Sequence, residues 1–231
     1  MSRLMYPKHA ASMPQKVMLV LMETAILFVA GWLLLGNGGQ MVHDLVGKGF
    51  LKGNTERNSM LFVLYLVVYT RMFLTIFYLL KREMPWKEAL TIPFAFSFYY
   101  VGFSLFALNT EQPLVWWDFL LVLLFLVGSF LNTFSELQRH RWKKDPVNRG
   151  KLFTGGLFRF SMHINYFGDL VWVTALALLT RSGFALFIPL LLFFLFVFYN
   201  IPLLDRHLAW KYGSQFTHYR KTTSKFIPFI Y

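Results

Sequence analysis

Four polar side chains recur along one stretch of the chain. Asn132, Glu136, Arg139 or His140, and Lys143 fall at i, i+4, i+7 and i+11. On a helix they form a single stripe. An amide and a carboxylate at that spacing suit hydrogen bonds to a ligand with hydroxyl or amide groups. The basic members, with Arg141 and Lys144 beside them, attract phosphates, whether of a ligand or of lipid headgroups. A second group follows in Ser161-Met162-His163-Ile164-Asn165-Tyr166-Phe167-Gly168-Asp169. Asn165 and Asp169 are four apart and face the same way on a helix. Asp169 in a first turn also suits the helix dipole, but capping does not explain His163, Asn165 and Tyr166 together. Between the two groups lie Asn148-Arg149-Gly150-Lys151 and Thr154-Gly155-Gly156. The glycines permit a tight turn or a close backbone approach, at a spacing that matches neither a dinucleotide fingerprint nor a phosphate-binding loop.

The first half of the chain offers fewer candidates. Glu23 and Arg71 each interrupt an apolar run. They form either a structural ion pair or the lining of a polar cavity, because ionisable groups at membrane depth are costly and usually functional. Tyr65 and Tyr69 share a helix face with four-residue spacing, and a phenol polarised by a charged neighbour can donate a proton to a substrate oxygen. Asp118, beside Trp116 and Trp117, reads as an interfacial residue of an aromatic belt. With no cysteine in the chain, disulfides, thiolate metal sites and cysteine nucleophiles are excluded. His140 and His163 lack partners at metal-ligand spacing, so no metal is expected.

The elements that must position these residues are set by composition. Of 231 residues, 56% are hydrophobic and only 15% charged, well below the charged fraction of about 25% usual in soluble domains. A spanning helix needs about 20 mainly apolar residues. Six windows meet or approach this, at 17–35, 59–80, 89–108, 114–134, about 165–180 and 183–204. The expected fold is therefore all-α, a polytopic integral membrane protein of about six, or six to seven, transmembrane helices. The first window is longer than a signal-peptide core and reads as a helix that is retained. Tight turns at 109–113 and 181–183 join neighbouring windows. Threading six helices places 18 Lys and Arg on one face and four on the other. That asymmetry puts both termini in the cytoplasm, with a bacterial inner membrane or an endomembrane as the host. The net charge of +12 is thus read against lipid, and no nucleic-acid partner is expected. The tail, from Asp205 through His218-Tyr219-Arg220-Lys221 to Phe226-Ile227-Pro228-Phe229, reads as an amphipathic interfacial helix and a turn. It is placed to fold back over the basic loop.

Gly155-Gly156-Leu157-Phe158, the run from Ser161 to Asp169, and the tail with Tyr212-Gly213, Tyr219 and Ile227-Pro228-Phe229 resemble the C-terminal family of steroid 5-alpha-reductases, including its bacterial branch of unknown function. The resemblance covers about residues 130–231. It implies a cytoplasm-facing NADPH site in that half and hydride transfer to a carbon–carbon double bond of a lipid-like enone that enters from the membrane. Carried over by motif, Asn132, Glu136, Lys143 and Lys151 stand where the family places polar and basic cofactor contacts. Asn165 and Asp169 stand at its Asn and acidic positions, and Arg206 and Tyr219 are the tail contacts. Arg139, His163 and Tyr166 complete the cofactor set. The family's substrate-polarising Glu and Tyr of the N-terminal half fall on Glu23 and Tyr69 as the candidate catalytic pair. One departure is Met162-His163-Ile164, where the family often has Arg-His-Pro.

These residues imply a single membrane domain over 1–231, with 1–129 forming the lipid-side pocket and 130–231 the cofactor half. The expected activity is an NAD(P)H-dependent oxidoreductase acting on CH–CH groups of an apolar steroid or isoprenoid substrate. Two alternatives stand beside it. One is an S-adenosylmethionine-dependent methyltransferase like the related isoprenylcysteine carboxyl methyltransferases. The other is a non-enzymatic protein that binds membrane lipids.

Overall fold

The computed structural model of the protein describes residues 12–46 and 52–230. Arg3, Lys8 and Lys48, which enter the charge count, lie outside the described residues. Among the described residues the structure is helical, without strands: α1 (Met13–Leu35), α2 (Gly38–Val46), α3 (Thr55–Leu79), α4 (Trp86–Ala107), α5 (Trp116–Lys144), α6 (Ile164–Leu179), α7 (Gly183–Tyr212) and α8 (Ser214–Thr222). Helices α1, α3, α4, α5 and α7 are long and apolar enough to cross a membrane. The chain is an all-α polytopic integral membrane protein. Five of the six expected windows are met. The remaining window, the fifth at about 165–180, falls on α6 with 16 residues, short for a span. Helix α2 forms within what reads as a loop.

Local chemistry explains the boundaries. Pro14 sits in the first turn of α1, where its missing N–H costs nothing. Asn54 caps α3, accepting from the Arg57 N–H at 3.0 Å, with Glu56 in the first turn. Three spans contain a wider turn with i→i+5 bonding, at Thr75–Leu79, Phe98–Gly102 and Phe196–Asn200. The last precedes Pro202, which has no N–H to continue the ordinary ladder. Helix α5 runs ten residues past the apolar window, to Lys144, and so carries the whole polar stripe.

The described residues divide into two compact units. The first comprises those through Leu123 together with Val173–Ile188; the second comprises Leu124–Trp172 and Pro189 onward. In the first unit α1 packs against α3 and α4, with Leu19, Ile76, Met84 and Ala89 in one buried cluster. In the second, α5 and α6 meet backbone to backbone at Gly128 and Gly168. A Cβ on Gly128 would lie 2.5 Å from the Trp172 nitrogen, and one on Gly168 would lie 2.6 Å from the Asn132 nitrogen. Small residues permit this approach in membrane helices. Two further clusters fasten the tail. Met162, Tyr212, Phe216 and Tyr219 form one; Phe196, Ile201 and Phe226 form the other.

Candidate functional site

The second unit assembles most of the polar candidates. On α5, Asn132 donates from its side-chain amide to the Asn165 carbonyl at 3.2 Å. Asn165, in the first turn of α6, donates to Glu136 Oε1 at 2.9 Å. The other Glu136 oxygen accepts from Arg139, whose guanidinium lies 5.4 Å from the centre of the Phe158 ring. Asn132, Glu136, Arg139 and Asn165 therefore form one connected network. All four are only half-buried. Lys143 continues the stripe at an exposed position, and Lys151 and Arg206 are exposed as well.

The glycine loop is anchored on the same helix. Leu157 donates its N–H to Gln138 Oε1 at 2.9 Å. Gly156 adopts a left-handed φ of 57°, and a Cβ there would lie 2.3 Å from that same oxygen. Only glycine fits. Tyr219 reaches from α8 to donate its hydroxyl to the Phe158 carbonyl. Burial pushes the Tyr219 phenol up from its ordinary range, so the hydroxyl stays a donor. In this structure Tyr219 holds the loop. The tail does fold back: Met162 N–H donates to the Ser224 carbonyl at 2.9 Å, and Ser161 Oγ to the Phe226 carbonyl at 2.7 Å.

His163 is 1% exposed. Its Nε2 lies 2.8 Å from Asp205 Oδ1, and Lys225 Nζ approaches the other Asp205 oxygen at 3.6 Å. Nδ1 of the same ring is buried with no hydrogen-bond partner. The imidazole stacks on Tyr166 at 5.8 Å and 8°, and Tyr166 stacks on Phe196 at 4.7 Å and 11°. Asp169 accepts from the Trp172 indole at 2.8 Å. Sequence reasoning missed Asp205, Gln138 and Lys225. One signal was present: Asp205 is the lone carboxylate after Asp169, deep enough in α7 to need a partner.

The first unit holds the other pair. Tyr69 OH and Thr24 Oγ1 are 2.8 Å apart, so Tyr69 stands beside the residue that follows Glu23. Glu23 is 1% exposed, and neither of its oxygens has a hydrogen-bond partner. No hydrogen bond joins either Glu23 oxygen to Arg71. Tyr65 and Tyr100, both fully buried, also have hydroxyls without partners, and their rings lie 5.3 Å apart. Tyr100 was not singled out in the sequence. Asp118 is fully buried within the protein, pairing with Arg57 at 3.1 Å and Arg181 at 2.8 Å. Among the described residues no cluster of His, Asp and Glu could hold a metal ion.

The comparisons give this arrangement its class. Residues 90–223 match the model of the family described as "Protein of unknown function (DUF1295)", and the chain belongs to that steroid 5-alpha-reductase-like family. The motifs from Gly155 to Asp169 and in the tail had pointed to it.

Three curated relatives add detail. The chain is 36% identical over 87 residues to a protein named Probable O-methyltransferase ustE of Ustilaginoidea virens, covering 37% of this chain and 30% of that one. It is 30% identical over 169 residues to a Delta(14)-sterol reductase of Methylotuvimicrobium alcaliphilum, covering 63% of this chain and 37% of that one. It is 32% identical over 125 residues to the steroid 5-alpha-reductase DET2 of Gossypium hirsutum, covering 52% and 46%. The chain thus spans less than half the length of each.

Proposed function

We propose that the protein is a membrane-embedded NAD(P)H-dependent reductase of a carbon–carbon double bond in a lipid-like substrate, steroid or isoprenoid. The observation that carries this reading is the Asn132–Asn165–Glu136–Arg139 network. A headgroup-binding helix end needs only cations. A half-buried carboxylate held by one amide and one guanidinium keeps further acceptor sites for a ligand with donors of its own. The reductases among the relatives support the same reading.

The residues fit a dinucleotide. Arg139, Lys143, Lys151 and Arg206 offer the positive charge that its phosphates need. Glu136 and Asn165 offer an acceptor and a donor for ribose or carboxamide groups. The orphaned His163 Nδ1 leaves one buried polar position for a ligand atom. Asp205 orients that ring, Tyr166 stacks on it, and Asp169 braces Trp172 one turn further along α6. When bound, a reduced nicotinamide supplies the hydride. The proton that completes CH–CH is assigned to Glu23 and the phenol of Tyr69, of which Glu23 has no competing protein partner. We place both termini on the cytoplasmic side, from the Lys and Arg asymmetry. In this cysteine-free chain a single cysteine introduced in the tail should be labelled from that side alone; labelling from the opposite side would reverse the topology.

A second reading has one observation in its favour, the relative named as an O-methyltransferase. It would place S-adenosylmethionine in the same network. Titrating purified protein with NADPH and with S-adenosylmethionine, followed by intrinsic tryptophan fluorescence, separates the two. NADPH is expected to bind. Asn165→Ala and Glu136→Gln should each weaken it by about tenfold, the loss of one hydrogen bond involving a charged group. Binding of S-adenosylmethionine alone would sink the reductase reading.

A further inference from the structure

A cavity of about 350 Å³ opens on the second unit, apart from the network on α5. Its walls come from the start of the glycine loop and from α8 with the residues after it: Thr154, Arg159, Gln215, His218, Tyr219 and Thr223 are among them. Among the described residues that line it there is no carboxylate. Its polar groups are of one kind, because almost all of them can donate.

Arg159 is held in place by its own neighbour, with the guanidinium 4.6 Å from the centre of the Phe160 ring. Phe160 in turn packs edge-on against Phe229 at 5.7 Å. Gln215 uses its side-chain oxygen to accept from Leu152 N–H at 2.9 Å, which leaves its amide hydrogens for another group. Tyr219 has spent its hydroxyl on the Phe158 carbonyl and presents only its ring. The remaining groups, a guanidinium, an imidazole, an amide and the hydroxyls of Thr154 and Thr223, are the set that surrounds a compact dianion. Small-ligand clefts run from roughly 300 to 1,000 Å³, so this one suits a headgroup and not a whole dinucleotide.

We propose that the Arg159–His218 cavity is a binding site for a phosphate monoester. Two sources present that chemistry: the headgroup of phosphatidic acid, and the ribose phosphate that distinguishes NADPH from NADH. The lipid arm is independent of the reductase reading; the nucleotide arm rests on it.

Both Arg159 and His218 are exposed, so Arg159→Gln and His218→Gln should leave the fold intact. The full-length protein in detergent is titrated with dioctanoyl phosphatidic acid, with dioctanoyl phosphatidylcholine as the diester control, and separately with NADPH and NADH. Bound lipid is read by native mass spectrometry and nucleotide by fluorescence. If the source is lipid, the parent retains phosphatidic acid over phosphatidylcholine. Arg159→Gln then reduces that retention by about tenfold or more while nucleotide affinity holds. If the source is the nucleotide, Arg159→Gln weakens NADPH by a similar factor and leaves NADH unchanged. A parent that binds no nucleotide but retains phosphatidic acid defeats the reductase reading and supports this site. Variants that match the parent in both arms overturn the proposal.

Discussion

The first unit buries two polar clusters, and they differ in one respect. In the first, Arg57 donates to Asp118 at 3.1 Å and to the carbonyls of Leu179, Gln112 and Pro113 at 3.0, 3.2 and 3.1 Å. Asp118 accepts in addition from Arg181 at 2.8 Å and from the Val115 N–H at 2.9 Å. Both Asp118 oxygens and the terminal guanidinium nitrogens of Arg57 are used, and of the buried atoms in this cluster only the Nε atoms of Arg57 and Arg181 are left without a partner. In the second, Glu23, Tyr65 and Tyr100 are as deeply buried, yet two carboxylate oxygens and two hydroxyls have no partner. A fully buried cluster so closely paired has little capacity left for a ligand. An unsatisfied one costs stability of the order of 1–3 kcal/mol per group and persists where something else benefits. Within this unit, burial of charge alone does not single out a candidate site; burial of the carboxylate without partners does.

The largest effect expected from this contrast is on Arg57. Arg57→Ala removes five hydrogen bonds and leaves Asp118 buried beside one partly exposed arginine. It should destabilise by about 3–5 kcal/mol, read as a lowered unfolding midpoint in detergent. A midpoint that does not move would dissolve the distinction between the clusters. Glu23→Gln should do the reverse. With no protein partner to lose, its midpoint should stay within about 1 kcal/mol of the parent, while reduction of a lipid-like enone falls by a factor of about 10² or more, as for loss of an acid catalyst. Tyr100→Phe carries the smallest expected change. Removing an unpaired buried hydroxyl should be neutral or stabilising by up to about 1 kcal/mol. Clear destabilisation would reveal a partner, such as an ordered water, and would move this group to the satisfied side.

Much of the frame was legible from residue spacing. Five of the six apolar windows matched spans, because period and length suffice for a helix in lipid. The stripe from Asn132 to Lys143 did fall on one continuous helix, and Asn165 did join it. What the spacing did not disclose were partners distant in sequence. Arg57 and Arg181 read as two loop cations of the face with few charges. They are in fact turned inward onto Asp118, 61 and 63 residues away, so their topological weight is smaller than the count implied. Asp205 was invisible as a partner of His163 for the same reason, at a separation of 42. Tyr219 was placed as a ligand contact, and its hydroxyl is committed to a backbone carbonyl. Local periodicity reports which face a residue occupies but not what the facing element brings.

The glycine contact between α5 and α6 has a consequence for tolerance. Gly168 would collide with the backbone nitrogen of Asn132 if it carried even a methyl group, and Asn132 is itself the first member of the polar network. The spot where the two helices touch and the spot where the network begins are thus the same residue. A bilayer of different thickness can tilt or bend the remaining spans, but it cannot slide these two past each other without breaking that contact. The pair behaves as a fixed gauge, setting the gap between Asn132 and Asn165 while the rest of the protein adjusts around it.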